Sequence, residues 1–207
     1  MGHDLQIVDL ILPFKTEPPT LIDVHINRSK NMPPATACGY WDKMKTCQVA
    51  MADLTGLPSY HRQTIPKDFL DKMGHMNVRY YMAVFDKATW CMFAEYGMDE
   101  SYFRTTENGV FALKQFIQYL AEVRQGETVA VYTRILGLTD KRIHLMHFMA
   151  NQDTDGLAAI IESLITHANL KVRKAAPLPS EIASKFRYRL HIDQNLGWDS
   201  PVSGIMG

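Results

Sequence analysis

Asp71, Gly74, His75 and Asn77 fall within one short stretch, Asp71-Lys-Met-Gly74-His75-Met-Asn77, directly ahead of a long apolar segment. A carboxylate can attack a carbonyl carbon or activate a water. The start of a helix offers unpaired backbone N–H groups and the favourable end of the helix dipole to an oxygen that gains negative charge. Together these suit the hydrolysis of an activated acyl group. Asp71 is then the base or nucleophile, Gly74 lets an acyl group approach the backbone, and the N–H of His75 or Met76 holds the oxyanion. The same residues also read as a structural turn: Asp71 opens it, Gly74 relieves strain, and His75 and Asn77 are solvated first-turn residues.

The chemistry requires a helix at this point, and the pattern predicts one. Residues 76–96 contain no proline or glycine and are apolar at most positions, with Arg79 and Asp86 marking a narrow polar stripe. This predicts a helix buried on nearly all sides, ended by Gly97 in a left-handed cap. Before it, residues 60–66 read as a short strand and 67–74 as a loop. After it, residues 110–123 alternate, with Phe111, Leu113, Ile117, Tyr119 and Ala121 on one face. Short turns at 125–127, 139–141 and 153–156 separate further strands at 128–136, 143–150 and 157–172. Turns that tight make an antiparallel sheet. The expected class is α+β: about five antiparallel strands wrapped around one long apolar helix, with a partner subunit covering what the sheet leaves open.

Residues 1–50 carry Pro18-Pro19 and Pro33-Pro34 and no sustained period, and read as an N-terminal extension ahead of a possible translation start at Met51. The domain proper is expected over 51–176. Residues 177–207 form a tail with a short helix over 180–188, capped by Ser180. Lys plus Arg equals Asp plus Glu at 22 each. That balance gives no field to draw nucleic acid or an anionic membrane. The 5–14 stretch is too short to span a bilayer and lacks a basic n-region. Three cysteines without metal or disulfide spacing fit a reducing, cytoplasmic setting and no metal site.

The stretch Asp71-Lys-Met-Gly74-His75-Met-Asn77-Val-Arg-Tyr80-Tyr81 resembles the signature of the 4-hydroxybenzoyl-CoA thioesterase-like hotdog family, a likeness covering roughly residues 58–176. Its downstream half, including 108–113, 119–126 and 138–144, is more particularly similar to betainyl-CoA thioesterases of carnitine breakdown. The resemblance implies a hotdog fold and hydrolysis of an acyl-CoA thioester. It places the catalytic acid at Asp71, with His75 and Asn77 shaping the site. No cofactor is implied beyond the coenzyme A of the substrate. The implied assembly is a homodimer or homotetramer with the pocket at a subunit interface.

Around this site, Met76, Tyr80 and Tyr81 are candidate substrate-binding residues. Tyr80, Tyr81 and Trp90 would make a cage for a quaternary ammonium, although aromatics at helical spacing are more often core. Arg134, Lys141, Arg142, Lys171, Arg173 and Lys174 are candidates for the phosphates of coenzyme A. Asp86 is the second candidate acid, with a solvated stripe beside Arg79 as the simpler reading. Two other functions compete: a hotdog acyl-CoA hydratase or dehydratase, and a non-catalytic acyl-CoA-binding module. The first needs a His at the helix start facing a carboxylate from the helix. The second leaves Asp71 without a purpose.

Overall fold

The computed structural model describes residues 49–206, so the expectations for the N-terminal extension, Cys38 and Cys47 lie outside the described residues. The strands are β1 (Ser59–Thr64), β2 (Asn108–Tyr119), β3 (Thr128–Leu138), β4 (Arg142–Asn151), β5 (Gly156–Asn169) and the two-residue β6 (Lys174–Ala175). The helices are α1 (Val78–Glu95), α2 (Glu100–Thr105) and α3 (Ser180–Gln194). The sheet runs β1-β3-β4-β5-β2, with β6 beside β5, and every pairing is antiparallel. This is the hotdog arrangement that the sequence implied.

The register explains the burial. Val129 and Val131 of β3, Met149 of β4 and Ile161 of β5 present one face to Tyr81, Val84, Phe85 and Ala88 of α1, joined by Tyr60 of β1 and Ile117 of β2. All five long strands thus touch one helix, which only a sheet wrapped around it allows. The opposite face is covered as well. Met146, Phe148, Ala150 and Ile160 pack there against Leu54, Leu57, Leu196 and Trp198. At the C-terminal end of α1, Met92, Phe93 and the following Tyr96 meet Ile182, Ala183 and Phe186 of α3.

Helix α1 is unbroken and ends as its sequence predicts. Gly97 has φ +98°, and the N–H of Met98 donates to the carbonyl of Phe93 at 2.8 Å, the wrap of a Schellman cap. It starts two residues later than expected, at Val78, because Asn77 is its cap and accepts from the N–H of Arg79 at 3.1 Å. All-round burial also fails. Arg79, Asp86, Lys87, Trp90 and Cys91 are exposed, so one side of the helix is open in this chain.

Two other expectations need correction. In β2 a bulge between Ala112 and Lys114 shifts the alternation, and Phe111 and Leu113 are 48% and 47% exposed instead of buried. The tail helix α3 runs to Gln194, and Pro179, not Ser180, occupies its cap position, with no side-chain bond there. Its length follows from tertiary contacts that its own composition does not advertise. Asp193 is fully buried, accepts from the N–H of Ile135 at 2.7 Å and pairs with Arg189.

Candidate active site

The Asp71 turn is a small closed hairpin. Leu70 and Met76 form an antiparallel bridge, the N–H of Asp71 donates to the carbonyl of His75 at 2.9 Å, and that of Gly74 to the carbonyl of Asp71 at 3.2 Å. Gly74 has φ +85°, a conformation that a side chain disfavours. Open space surrounds the position of its absent Cβ, so backbone conformation, not crowding, demands glycine. The Asp71 carboxylate closes the turn: Oδ1 accepts from the N–H of Met73 at 2.8 Å and, at a longer 3.4 Å, from that of His75. This ties down one oxygen and leaves Oδ2 without a partner among the described residues. The turn is therefore both the structural device and a fixed, partly exposed carboxylate.

His75 is held beside it. Its Nε2 lies 2.9 Å from Glu122 Oε2, and its backbone bridges Arg124. Glu122 is largely exposed, so water screens this pair.

The expected oxyanion donors do not hold in full. The N–H of Met76 donates to the carbonyl of Val123 at 2.8 Å and is occupied by the sheet. In the turn the N–H of His75 keeps capacity, since its bond to Asp71 Oδ1 is long at 3.4 Å. In the first turn of α1, Asn77 takes the N–H of Arg79 with its side chain and that of Tyr80 with its carbonyl. The N–H of Val78 has no partner among the described residues, and Val78 is exposed.

The expected aromatic cage is also dismantled. Met76 and Tyr81 are core residues, 4% exposed each, and the Tyr81 hydroxyl donates to the carbonyl of Ala121 at 3.2 Å. Burial pushes the Tyr81 phenol above its ordinary pKa and keeps it a donor. Tyr80 stacks on Phe69 with ring centroids 4.0 Å apart, under the guanidinium of Arg79. Trp90 stands ten residues further along α1, about 15 Å at the helical rise. Alternation and helical spacing identify such residues as apolar but not which partners they meet.

Among the basic candidates, Arg134 is structural. It is 7% exposed, donates to the carbonyls of Asp193 and Trp198, and lies over the Trp198 ring. Burial lowers its pKa from the ordinary arginine value, with Asp193 and Asp199 opposing. Lys171 reaches Glu107 at 3.4 Å, and Lys141 approaches Asp140.

A feature that the sequence did not assemble is a cavity of about 480 Å³ between the open side of α1 and strands β2, β4 and β5. Its helix wall is Arg79, Met82, Ala83, Asp86, Thr89, Trp90 and Phe93, a stripe with the i, i+3, i+4, i+7 spacing of one helix face. Asp86 therefore faces a cavity, not only solvent, and the polar stripe is one of its walls. The floor holds His147. Thr89 donates to the carbonyl of Phe85 at 2.9 Å, so its oxygen must accept from His147 Nε2, also 2.9 Å away. Burial pushes the His147 pKa down to about 3, so the ring is neutral and Nδ1 accepts from the Thr133 hydroxyl at 2.7 Å. Asp71 does not line this cavity.

Comparison with known proteins gives the family. The model of the thioesterase-like superfamily matches residues 65–186, more than half of the chain. The chain is 28% identical to a betainyl-CoA thioesterase of Pseudomonas aeruginosa over 151 residues, covering 73% of this chain and 94% of that protein. It is 30% identical to an L-carnitine dehydrogenase/betainyl-CoA thioesterase of Agrobacterium fabrum, covering 58% of this chain and 24% of that longer protein. A hypothetical protein of Staphylococcus aureus, solved in complex with CoA, superimposes with TM-score 0.65 at 21% identity, covering 71% of this chain and 93% of that one. That last likeness carries the fold alone. Among the described residues, no helix is long and apolar enough to cross a membrane. With the match spanning the Asp71 turn, α1 and strands β2 to β5, the chain belongs to the thioesterase-like superfamily and is a thioester hydrolase of hotdog fold.

Proposed function

We propose that this enzyme hydrolyses a short, polar acyl-CoA of the betainyl kind, with Asp71 as its base or nucleophile. The observation that carries the reading is the Asp71 carboxylate itself: one oxygen fixed by two backbone N–H groups, the other without a partner among the described residues, at the turn leading into α1. As a base, Asp71 takes a proton from water, and the hydroxide adds to the thioester carbonyl. As a nucleophile, Asp71 adds directly, expels the CoA thiolate, and the resulting anhydride is hydrolysed by water. Both routes end in a free carboxylic acid and the CoA thiol. The Val78 N–H, at the positive end of α1, is the donor best placed by its lack of a partner to hold the oxyanion, with His75 beside it. Asn77 positions both by fixing where the helix begins.

The similarity to betainyl-CoA thioesterases supports the acyl class. No cofactor enters the proposed reaction except the coenzyme A of the substrate, and the setting is the cytoplasm.

We take the working unit to be a homodimer joined along β2. That strand ends the sheet, and positions 111–115 are exposed on both faces, an unusual arrangement for a long apolar edge without cover. A second copy laid there would also close the open side of α1 and its cavity. The test is free-thiol release across a panel of acyl-CoAs that includes betainyl-CoA. Turnover of betainyl-CoA and other short polar acyl groups is expected; preference for long-chain acyl-CoA overturns the substrate class. A hydratase would instead consume an enoyl-CoA without releasing thiol.

A further inference from the structure

Asp86 and Trp90 stand one helical turn apart on the wall of the cavity beside β2. Asp86 has no hydrogen-bond or ion-pair partner among the described residues. Arg79, the cation on the same wall, does not neutralise it. Its guanidinium donates to the Tyr80 hydroxyl at 2.9 Å and lies over the Tyr80 ring, two helical turns away. Trp90 is held by edge contacts to Phe93 and Phe103, at 6.0 and 5.4 Å between centroids, and is 47% exposed. The rest of the lining is mainly apolar, and its floor histidine has both ring nitrogens engaged. A lone carboxylate beside a fixed indole in an apolar hollow is a receptor for a cation that cannot donate hydrogen bonds. A quaternary ammonium is such a cation: it needs charge and a π face, and its methyl groups gain from apolar walls.

We propose that Asp86 and Trp90 bind the trimethylammonium end of the acyl group and so set the enzyme's preference for a cationic substrate. This rests on the thioesterase reading above. It also fixes where the thioester lies. Asp86 is nine residues beyond the cap Asn77, about 13 Å along α1. In a betainyl group a single methylene separates the carbonyl carbon from the nitrogen. One chain therefore cannot hold the ammonium at Asp86 and the carbonyl at its own Asp71 turn. The cavity serves a thioester presented by the Asp71 turn of a second copy across β2, and each site takes Asp71 from one protomer and Asp86 from the other.

The probe pair is betainyl-CoA and 3,3-dimethylbutyryl-CoA, which carries a neutral carbon in place of the charged nitrogen. The wild-type enzyme should prefer the charged substrate. Asp86→Asn and Trp90→Leu should each lower kcat/KM for betainyl-CoA by about tenfold or more, mainly through KM, and lower that for the neutral substrate by a clearly smaller factor. Co-expressed Asp71→Asn and Asp86→Asn chains should regain about a quarter of the wild-type kcat/KM for betainyl-CoA, measured at substrate well below KM. Half of the dimers formed by random mixing are heterodimers, and each has one intact site. Equal losses on both substrates, a wild-type enzyme without preference for betainyl-CoA, or mixed chains that recover nothing would overturn the proposal while leaving thioester hydrolysis standing. Absence of thiol release from every acyl-CoA would instead overturn the thioesterase reading on which it rests.

Discussion

His147 Nε2 lies 2.9 Å from the hydroxyl of Thr89, which links the middle of α1 to the central strand β4 through a neutral imidazole. The ring is fully buried, and desolvation alone pushes its pKa from 6.5 down to about 3. In the unfolded chain the same ring takes up a proton near its ordinary value. Because the folded pKa is depressed, the contribution to stability is complete above pH 6.5. It is lost progressively as the pH falls toward 3. At pH 5 the loss from this residue is about 2 kcal/mol relative to pH 7. Urea unfolding of the wild type and of His147→Gln at both pH values checks this. The variant should lack that part of the difference, and an equal pH dependence in both proteins would show that His147 is not its source.

Asp193 anchors the C-terminal helix. Its carboxylate is fully buried, accepts from the N–H of Ile135 and pairs with Arg189, whose side chain also reaches the carbonyl of Gly56 at 3.1 Å. Removing the acid leaves a largely buried guanidinium and a strand N–H without their acceptor. Asp193→Ala should therefore cost about 3–5 kcal/mol. Chemical denaturation measures it, and a cost below about 1 kcal/mol would mean that α3 is held by its apolar face alone.

These two networks mark the limit of what the chain's pattern reveals. Periodicity located α1, its glycine cap and the four hairpin-linked strands, because each depends on residues close in sequence. That a turn stands at Asp71 was legible for the same reason, though not its closed hairpin shape. It could not show that Met76 gives its N–H to Val123, since that bond joins segments 47 residues apart. The bulge after Ala112 reversed the faces of β2, because one extra residue inverts an alternation that is otherwise easy to read. The cavity was missed because Asp86, Gln115 and Ser163 meet only when the sheet closes over the helix. Its one local signal was the helical spacing of Arg79, Asp86, Trp90 and Phe93.

The edge strand β2 gives a test of assembly. Phe111 and Leu113 are about half exposed in this chain, so replacing both with lysine should cost the isolated fold little. On an uncovered edge the same lysines oppose strand-to-strand pairing. Light scattering should find the wild type at twice the chain mass or a multiple of it and the double variant at 23.6 kDa. Thiol release should fall with the assembly. A wild-type enzyme that is monomeric and fully active would refute the shared site.

The last prediction concerns Asp71. Asp71→Asn keeps the side-chain oxygen that accepts from the N–H groups of Met73 and His75, so the turn should survive while the charge is removed. If Asp71 is the base or nucleophile, kcat should fall by about 100-fold or more with KM little changed. If the carboxylate only closes the turn, activity should persist and stability drop by at most about 1 kcal/mol, the size of a cap effect. Asp86→Asn is the companion measurement. Its loss should fall on KM and on the cationic substrate, because Asp86 is proposed to hold the ammonium and takes no part in the attack on the carbonyl. A collapse of kcat at Asp86 equal to that at Asp71, on neutral and charged substrates alike, would move the chemistry onto the helix. Single turnover in ¹⁸O-labelled water then tests the nucleophile route: label entering the Asp71 carboxylate shows that an anhydride formed there and was opened by water at the Asp71 carbonyl.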